Sequence, residues 1–139
     1  MKHIGIDPGA HTGVAVWDTE RKALVEVATL PLHRALALVS SYAAQGAVQV
    51  TFEDARQRKW LAPERSRSEY RGHLMGAGSV KRDCVIWEEF CRDNRIPFTA
   101  RPPQKGLTKW TAEAFARITG WKGRTSNHAR DAAMMVVGR

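Results

Sequence analysis

The 139-residue chain predicts an α/β fold, with a five-stranded mixed sheet flanked by helices in one domain spanning residues 1–139. Three β-like runs follow one another near the N-terminus, separated only by short turns. A helical period then leads into a fourth β-like run, and a longer helix leads into a fifth. Adjacent runs joined by turns favour antiparallel pairing, whereas runs joined through a helix favour parallel pairing, so the sheet should be mixed.

The first three runs predict an antiparallel meander that leaves Asp7 at the end of a strand. The opening apolar run stops there because Pro8 and Gly9 follow. The second run, 12–18, can fold back on the first, and the third, 23–30, is closed by a proline. Considered alone, Asp7 suits a turn at least as well as it suits catalysis, because aspartate commonly caps such turns.

The next two elements place a second carboxylate beside Asp7. Apolar residues recur every three or four positions over 32–44, which predicts an amphipathic helix that ends near Gly46. The β-branched run 47–53 then ends at Glu53. A right-handed crossover would make this strand parallel to the first. We therefore expect Asp7 and Glu53 at the same edge of the sheet.

A long helix is predicted over 73–95, with a wide apolar face. Gly76 and Gly78 weaken it as a helix but would permit close approach of another backbone. The segment is thus either an ordinary core helix or a seam between two copies of the chain. Cys84 and Cys91 stand seven residues apart within it, which indicates buried free thiols rather than a zinc site.

The C-terminal part of the chain predicts a short strand and two further helices. The strand covers 97–101, and the helical run 104–120 should turn four residues inward. These are Trp110, Ala114, Phe115 and Ile118. A final helix follows the capping residues 125–127 and continues to 137, with His128 and Asp131 on one face. Its small residues should let it lie close to the sheet, bringing His128 and Asp131 to the edge that carries Asp7 and Glu53.

The charge of the chain points to a polyanionic partner. The formal net charge is +8 and the pI is about 10.1, which favours nucleic acid or an anionic membrane surface. No apolar run approaches the roughly 20 residues that cross a bilayer, and no secretory pattern opens the sequence, so we expect a cytoplasmic protein.

The basic residues are concentrated in two regions, 55–72 and 101–130, which favours a binding face. A solvated surface loop is the alternative for the first region, because charged segments without periodicity are usually that. Arginines suit phosphate oxygens, and interleaved aromatic rings suit bases. The predicted DNA-binding residues are Arg56, Arg58, Lys59, Trp60, Arg65, Arg67, Tyr70, Arg71, Lys105, Lys109, Lys122 and Arg124.

Three carboxylates and one imidazole at one edge would need a counter-ion, because like charges raise one another's pKa values. We predict that Asp7, Glu53, His128 and Asp131 are catalytic residues and metal ligands. Carboxylate oxygens suit Mg²⁺, and Mn²⁺ tolerates an imidazole as well. Two such ions, roughly 4 Å apart, would support in-line hydrolysis of a phosphodiester.

The three acid motifs together resemble the RuvC family of Holliday-junction resolvases, within the ribonuclease H-like superfamily. The motifs are residues 4–9, 51–53 and 128–133, and they occur in the order and at the intervals of that family. The resemblance covers nearly the whole chain. His128 stands where many members have another aspartate and some have histidine, so it could ligate metal, contact the scissile phosphate or protonate the leaving oxygen.

The resemblance implies a homodimer that binds a four-way DNA junction and makes paired symmetric nicks, leaving 5′-phosphate and 3′-hydroxyl ends. It also implies that Asp7, Glu53 and Asp131 bind metal, that the 73–95 helix forms the dimer, and that Trp60 or Tyr70 enters the junction. Other hypotheses are a related nuclease that processes structured RNA such as ribosomal RNA precursors, and a junction-binding protein without activity. An actin-like ATPase would be expected to need a second domain.

Overall fold

The computed structural model describes residues 1–58, 67–104 and 109–139, with side chains described from 75 onward in the second range. The strands are β1 Lys2–Asp7, β2 His11–Asp18, β3 Ala23–Pro31, β4 Val48–Glu53 and β5 Phe98–Arg101. The helices are α1 Leu32–Gln45, α2 Arg67–Asp93, α3 Ala112–Thr119 and α4 Asn127–Met134, with a 3₁₀ turn at Ala55–Gln57.

The strands form one mixed sheet in the order β3-β2-β1-β4-β5. The first three strands pair antiparallel, while β4 is parallel to β1 and β5 is parallel to β4. Within the described ranges, this sheet and its four α-helices confirm the predicted α/β class. The parallel pairing brings the C-terminal ends of β1, β4 and β5 to one edge.

Each face of the sheet has its own core because side chains alternate along a strand. One face carries Ile4, Ile6 and Phe52, which pack with residues of α1 and α2 such as Val39 and Trp87. The opposite face packs against α3 and α4. Its core residues are Ala15, Trp17, Leu24, Val27, Phe115, Ala129, Ala132, Ala133, Met135 and Val136.

Helix α4 lies in direct backbone contact with the two central strands. A Cβ built on Gly5 would overlap the carbonyl of Ala132, and one on Gly13 would overlap the carbonyl of His128. The expected close approach is therefore present. This contact requires glycines on the strands as well as small residues on the helix, because any side chain on these strand positions would separate the helix from the sheet.

Several helix boundaries differ from the sequence prediction, and α4 ends at Met134 rather than at 137. Helix α2 begins at Arg67, inside the segment predicted as a loop. The sequence over 67–72 is almost entirely polar or charged and ends in a glycine, so it lacks the apolar periodicity that predicts a helix from residue 73 onward. Helix α3 begins only at Ala112, after the cap Thr111, whose hydroxyl accepts a hydrogen bond from the Ala114 N–H.

Some predicted core positions also need correction. Ile118 was expected to point inward, but it is 55% exposed, whereas Phe115 is buried. Ile118 lies in the last turn of α3, which ends at Thr119. Gly76 and Gly78 have nothing within 4 Å of a built Cβ, so no described part of this chain packs closely on them.

The remaining expectations for the fold concern the cysteines and the membrane. Cys84 and Cys91 are buried free thiols, as predicted, and burial raises the pKa of each to about 11. Among the helices in the described part of the chain, none is both long and apolar enough to cross a bilayer.

We expect Gly13→Ala to lower the free energy of unfolding by about 3 kcal/mol, at the upper end of overpacking effects, because the new methyl group would meet the rigid backbone of α4. Urea denaturation would measure this change. Gly46→Ala is the matched control, since no atom lies within 4 Å of its built Cβ and its backbone is extended. A Gly13→Ala protein as stable as this control would contradict the close packing.

Candidate active site

Two strand ends place carboxylates on the face of the sheet that α4 covers. Ile6 and Phe52 point into the opposite core, so the next residues, Asp7 and Glu53, face α4. The parallel register of β1 and β4 makes these carboxylates neighbours across the strands. The predicted meeting of Asp7 and Glu53 at one edge is thus observed.

Helix α4 supplies the other two predicted residues. The Ser126 hydroxyl accepts a hydrogen bond from the Ala129 N–H at 3.1 Å and so caps the first turn. His128, in that turn, places its Nδ1 2.9 Å from Oδ2 of Asp7. This contact joins residues 121 positions apart in the sequence. The imidazole is 56% exposed, whereas the Asp7 side chain is only 19% exposed.

Asp131, one turn further along α4, pairs with a lysine. The Nζ of Lys109 donates to Oδ2 of Asp131 at 2.8 Å, and this bond raises the pKa of the ammonium group. The negative charges of Asp7 and Glu53 also raise the pKa of Lys109. Lys109, one of the predicted DNA-binding residues, thus lies beside the acids and offsets part of their charge; its contact with DNA stays a prediction.

The carboxylates are close enough to influence one another. Burial raises the pKa of Asp7, and repulsion from Asp131 adds to this effect, although His128 and Lys109 oppose it. Burial likewise raises the pKa of Glu53, with repulsion from Asp7 and Asp131 contributing. The four predicted residues therefore share one electrostatic environment, as the order of the motifs indicated.

The site does not contain a ready-made metal cage. Within the residues that the structure describes, no group of three or more His, Cys, Asp or Glu side chains is arranged to hold an ion. The donor chemistry nevertheless fits a hard divalent cation, because three mutually repelling carboxylates face one region, and Lys109 and Arg58 offset only part of the effects that raise the pKa of Glu53. Asp7, Glu53 and Asp131 are the side chains that could hold it.

Arg130 is a buried residue of the site that the sequence reasoning did not select. It is 8% exposed, and its Nε donates to the carbonyl of Trp110 at 3.0 Å. Its Nη1 donates to the carbonyl and the hydroxyl of Thr125, and its Nη2 donates to Asn127 Oδ1.

Arg130 therefore links the segment next to Lys109 to the start of α4. Its position between His128 and Asp131 in the motif was the only available signal.

The other predicted DNA contacts are placed differently. The guanidinium of Arg56 pairs with Asp54 at 2.8 Å and with Glu88 at 2.9 Å, so acids within the chain hold it in place, and its contact with DNA stays a prediction. Arg58 is exposed next to Glu53. Lys122 and Arg124 are exposed in the turn before α4. The remaining candidates have side chains outside the described residues: Lys59, Trp60, Arg65, Arg67, Tyr70, Arg71 and Lys105.

We expect Glu53→Gln to stabilise the protein at neutral pH. Folding raises the pKa of this carboxyl above its ordinary value of 4.5, so ionisation disfavours the folded state at higher pH. Below pH 4.5 the carboxyl becomes protonated in both states, and the advantage of glutamine should disappear. Urea denaturation across this pH range would measure the difference. Glu89→Gln, at an exposed position on α2, is the control; an equal gain for both variants would contradict the electrostatic origin.

Comparison with protein-family models and with curated proteins finds no match to this chain. The functional assignment is therefore carried by the placement and chemistry of its own residues.

Proposed function

We propose that the protein is a divalent-metal-dependent endonuclease with a ribonuclease H-like fold, which resolves four-way DNA junctions as RuvC-family enzymes do. The observation that carries the proposal is the convergence of Asp7, Glu53 and Asp131, from three separate motifs, at one edge of a mixed sheet. The excess of positive charge over the whole chain supports a polyanionic substrate.

The three carboxylates would hold Mg²⁺ or Mn²⁺, in a site for two ions. When bound, the metal would activate water and stabilise the charge that develops on the phosphodiester. Burial, with a smaller contribution from neighbouring carboxylates, raises the pKa values of Asp7 and Glu53, and this supports the role because a bound cation would favour their ionised form. A cation held by these acids would also neutralise their charge.

His128 and Lys109 would act on the substrate from the exposed side. His128 is more than half exposed while its Nδ1 faces Asp7, which leaves the other ring nitrogen available to contact the scissile phosphate or protonate the leaving oxygen. The side chain of Lys109 is 68% exposed, so its ammonium can move from Asp131 to a phosphate oxygen when a metal takes over the charge of the acids.

Two copies of the chain would supply the two cuts. The exposed residues 75–78 on α2 and the open space at Gly76 and Gly78 support a homodimer through this helix, because a second backbone could approach there. Trp60 or Tyr70, from the region around the start of α2, would enter the junction. Such a dimer would present two acidic sites to strands of like polarity.

Incubation with a mobile synthetic four-way junction and Mg²⁺ or Mn²⁺ would test the function, with duplex DNA and structured RNA as competing substrates. We expect paired nicks confined to the junction. Preferential cleavage of RNA would contradict junction resolution and support the alternative, a nuclease that processes structured RNA. Tight junction binding without cleavage would identify a non-catalytic binding protein instead.

We expect Asp7→Asn to reduce cleavage by more than about 100-fold, because even residues that only support metal ligands are worth roughly 10–100-fold. Junction binding should change little, since phosphate contacts provide most of the affinity. Gel-shift and cleavage assays on one protein preparation would separate the two effects. Asp93→Asn is the control, at an exposed position near the end of α2; equal losses of binding and cleavage in Asp7→Asn would count against a catalytic role.

A further inference from the structure

A groove of about 290 Å³ adjoins the acidic site on the side of β5. Glu53 and Asp131 form one wall, and the chain from Arg101 to Gln104 forms another. Its volume lies near the lower end of the roughly 300–1,000 Å³ typical of small-ligand pockets. The groove is therefore large enough for a single small group, and one end of it opens on the candidate catalytic carboxylates.

Three cationic side chains line the groove together with Glu53 and Asp131. Arg101 is the register partner of Glu53 on β5, so both side chains project from the same face of the sheet. The main chain of Arg101 is fixed by a 2.7 Å hydrogen bond from the Asp54 N–H to its carbonyl. Its guanidinium makes no hydrogen bond or ion pair with the rest of the described chain, and Arg58 and Lys109 lie on the same groove. These cations suit a phosphate group.

The rest of the groove has a different chemistry. Met134 and Met135 line it from the end of α4, and Pro102 and Pro103 line it from the segment after β5. Thioethers and proline rings form favourable contacts with aromatic faces. Gln104 adds a side-chain amide, which can donate and accept hydrogen bonds at the edge of a ring.

We propose that this groove binds one unpaired nucleotide next to the scissile phosphate. Its phosphate lies against Arg101, its base lies between the methionines and the prolines, and Gln104 reads the edge of the base. The inference rests on the proposed nuclease function and deepens it, since it assigns a specificity-determining residue, Gln104, to the same site. A groove of about 290 Å³ is too small to take in a base pair, so it favours a strand whose base is already unpaired.

The methionines of the chain provide a direct test that requires no cleavage. The full sequence contains four, of which Met134 and Met135 line the groove while Met1 and Met75 are exposed elsewhere. The full-length protein would be labelled at the methionine methyl carbons and titrated with thymidine 5′-monophosphate, without divalent metal. We expect ring-current shifts of the Met134 and Met135 methyl signals, unchanged signals from Met1 and Met75, and no such shifts with 2-deoxyribose 5-phosphate.

Two variants extend the test to the phosphate and to the base. Arg101→Gln should weaken nucleotide binding at least about 10-fold, because it removes a charged hydrogen-bond donor. Arg117→Gln, at an exposed position on α3, should have no effect. Gln104→Leu should alter the base preference beside the cut.

The outcomes separate this inference from the nuclease proposal. Methyl shifts without any junction cleavage would support the nucleotide groove and overturn the nuclease function. Junction cleavage without methyl shifts, or equal shifts with the base-free sugar phosphate, would overturn the groove and leave the nuclease function standing. A base preference unchanged in Gln104→Leu would overturn the assigned role of that residue.

Discussion

The contact on which the site depends is the packing of the α4 backbone against Gly5 and Gly13. It fixes the height of α4 above the sheet, so His128 reaches Asp7 and Asp131 comes within electrostatic range of Glu53. Any side chain at either glycine would lift the helix and separate these groups. The packing beneath α4 therefore determines the geometry of the site. The small residues that let the helix approach the sheet also determine where its polar side chains lie.

Charge balance is the second constraint on this edge. Burial and mutual repulsion make the ionised carboxylates unfavourable in the folded protein, and Lys109 offsets only part of that cost. Proteins commonly accept lower stability at catalytic sites. Arg130 adds a buried cation held by carbonyl, hydroxyl and amide oxygens, which holds the Lys109 segment against α4. The acids, the lysine and the arginine are therefore best regarded as one interdependent unit.

The groove beside this unit relates the site to its substrate. The strand register that places Glu53 at this edge also places Arg101 beside it. Met134 and Met135 line the groove from the end of α4. The elements that gather the acids thus also form a surface with one charged and one apolar end. The charged end suits the phosphate of a nucleotide and the apolar end suits its base. This gives the proposed nuclease a physical basis for distinguishing bases next to the cut.

Local signals in the sequence, namely alternation, helical period and turn residues, were enough to predict the succession of strands and helices, the strand ends at Asp7 and Glu53, and the shared face of His128 and Asp131. The three-dimensional structure was needed to show that Arg56 is paired within the chain, that Lys109 lies beside the acids and that Arg130 links their segments. Those outcomes depend on contacts between segments far apart in sequence, for which local periodicity carries no information. The close approach of α4 was predicted only in part. The sequence shows the small residues of the helix, but the role of the facing strand glycines is evident only from the packing of helix against strand.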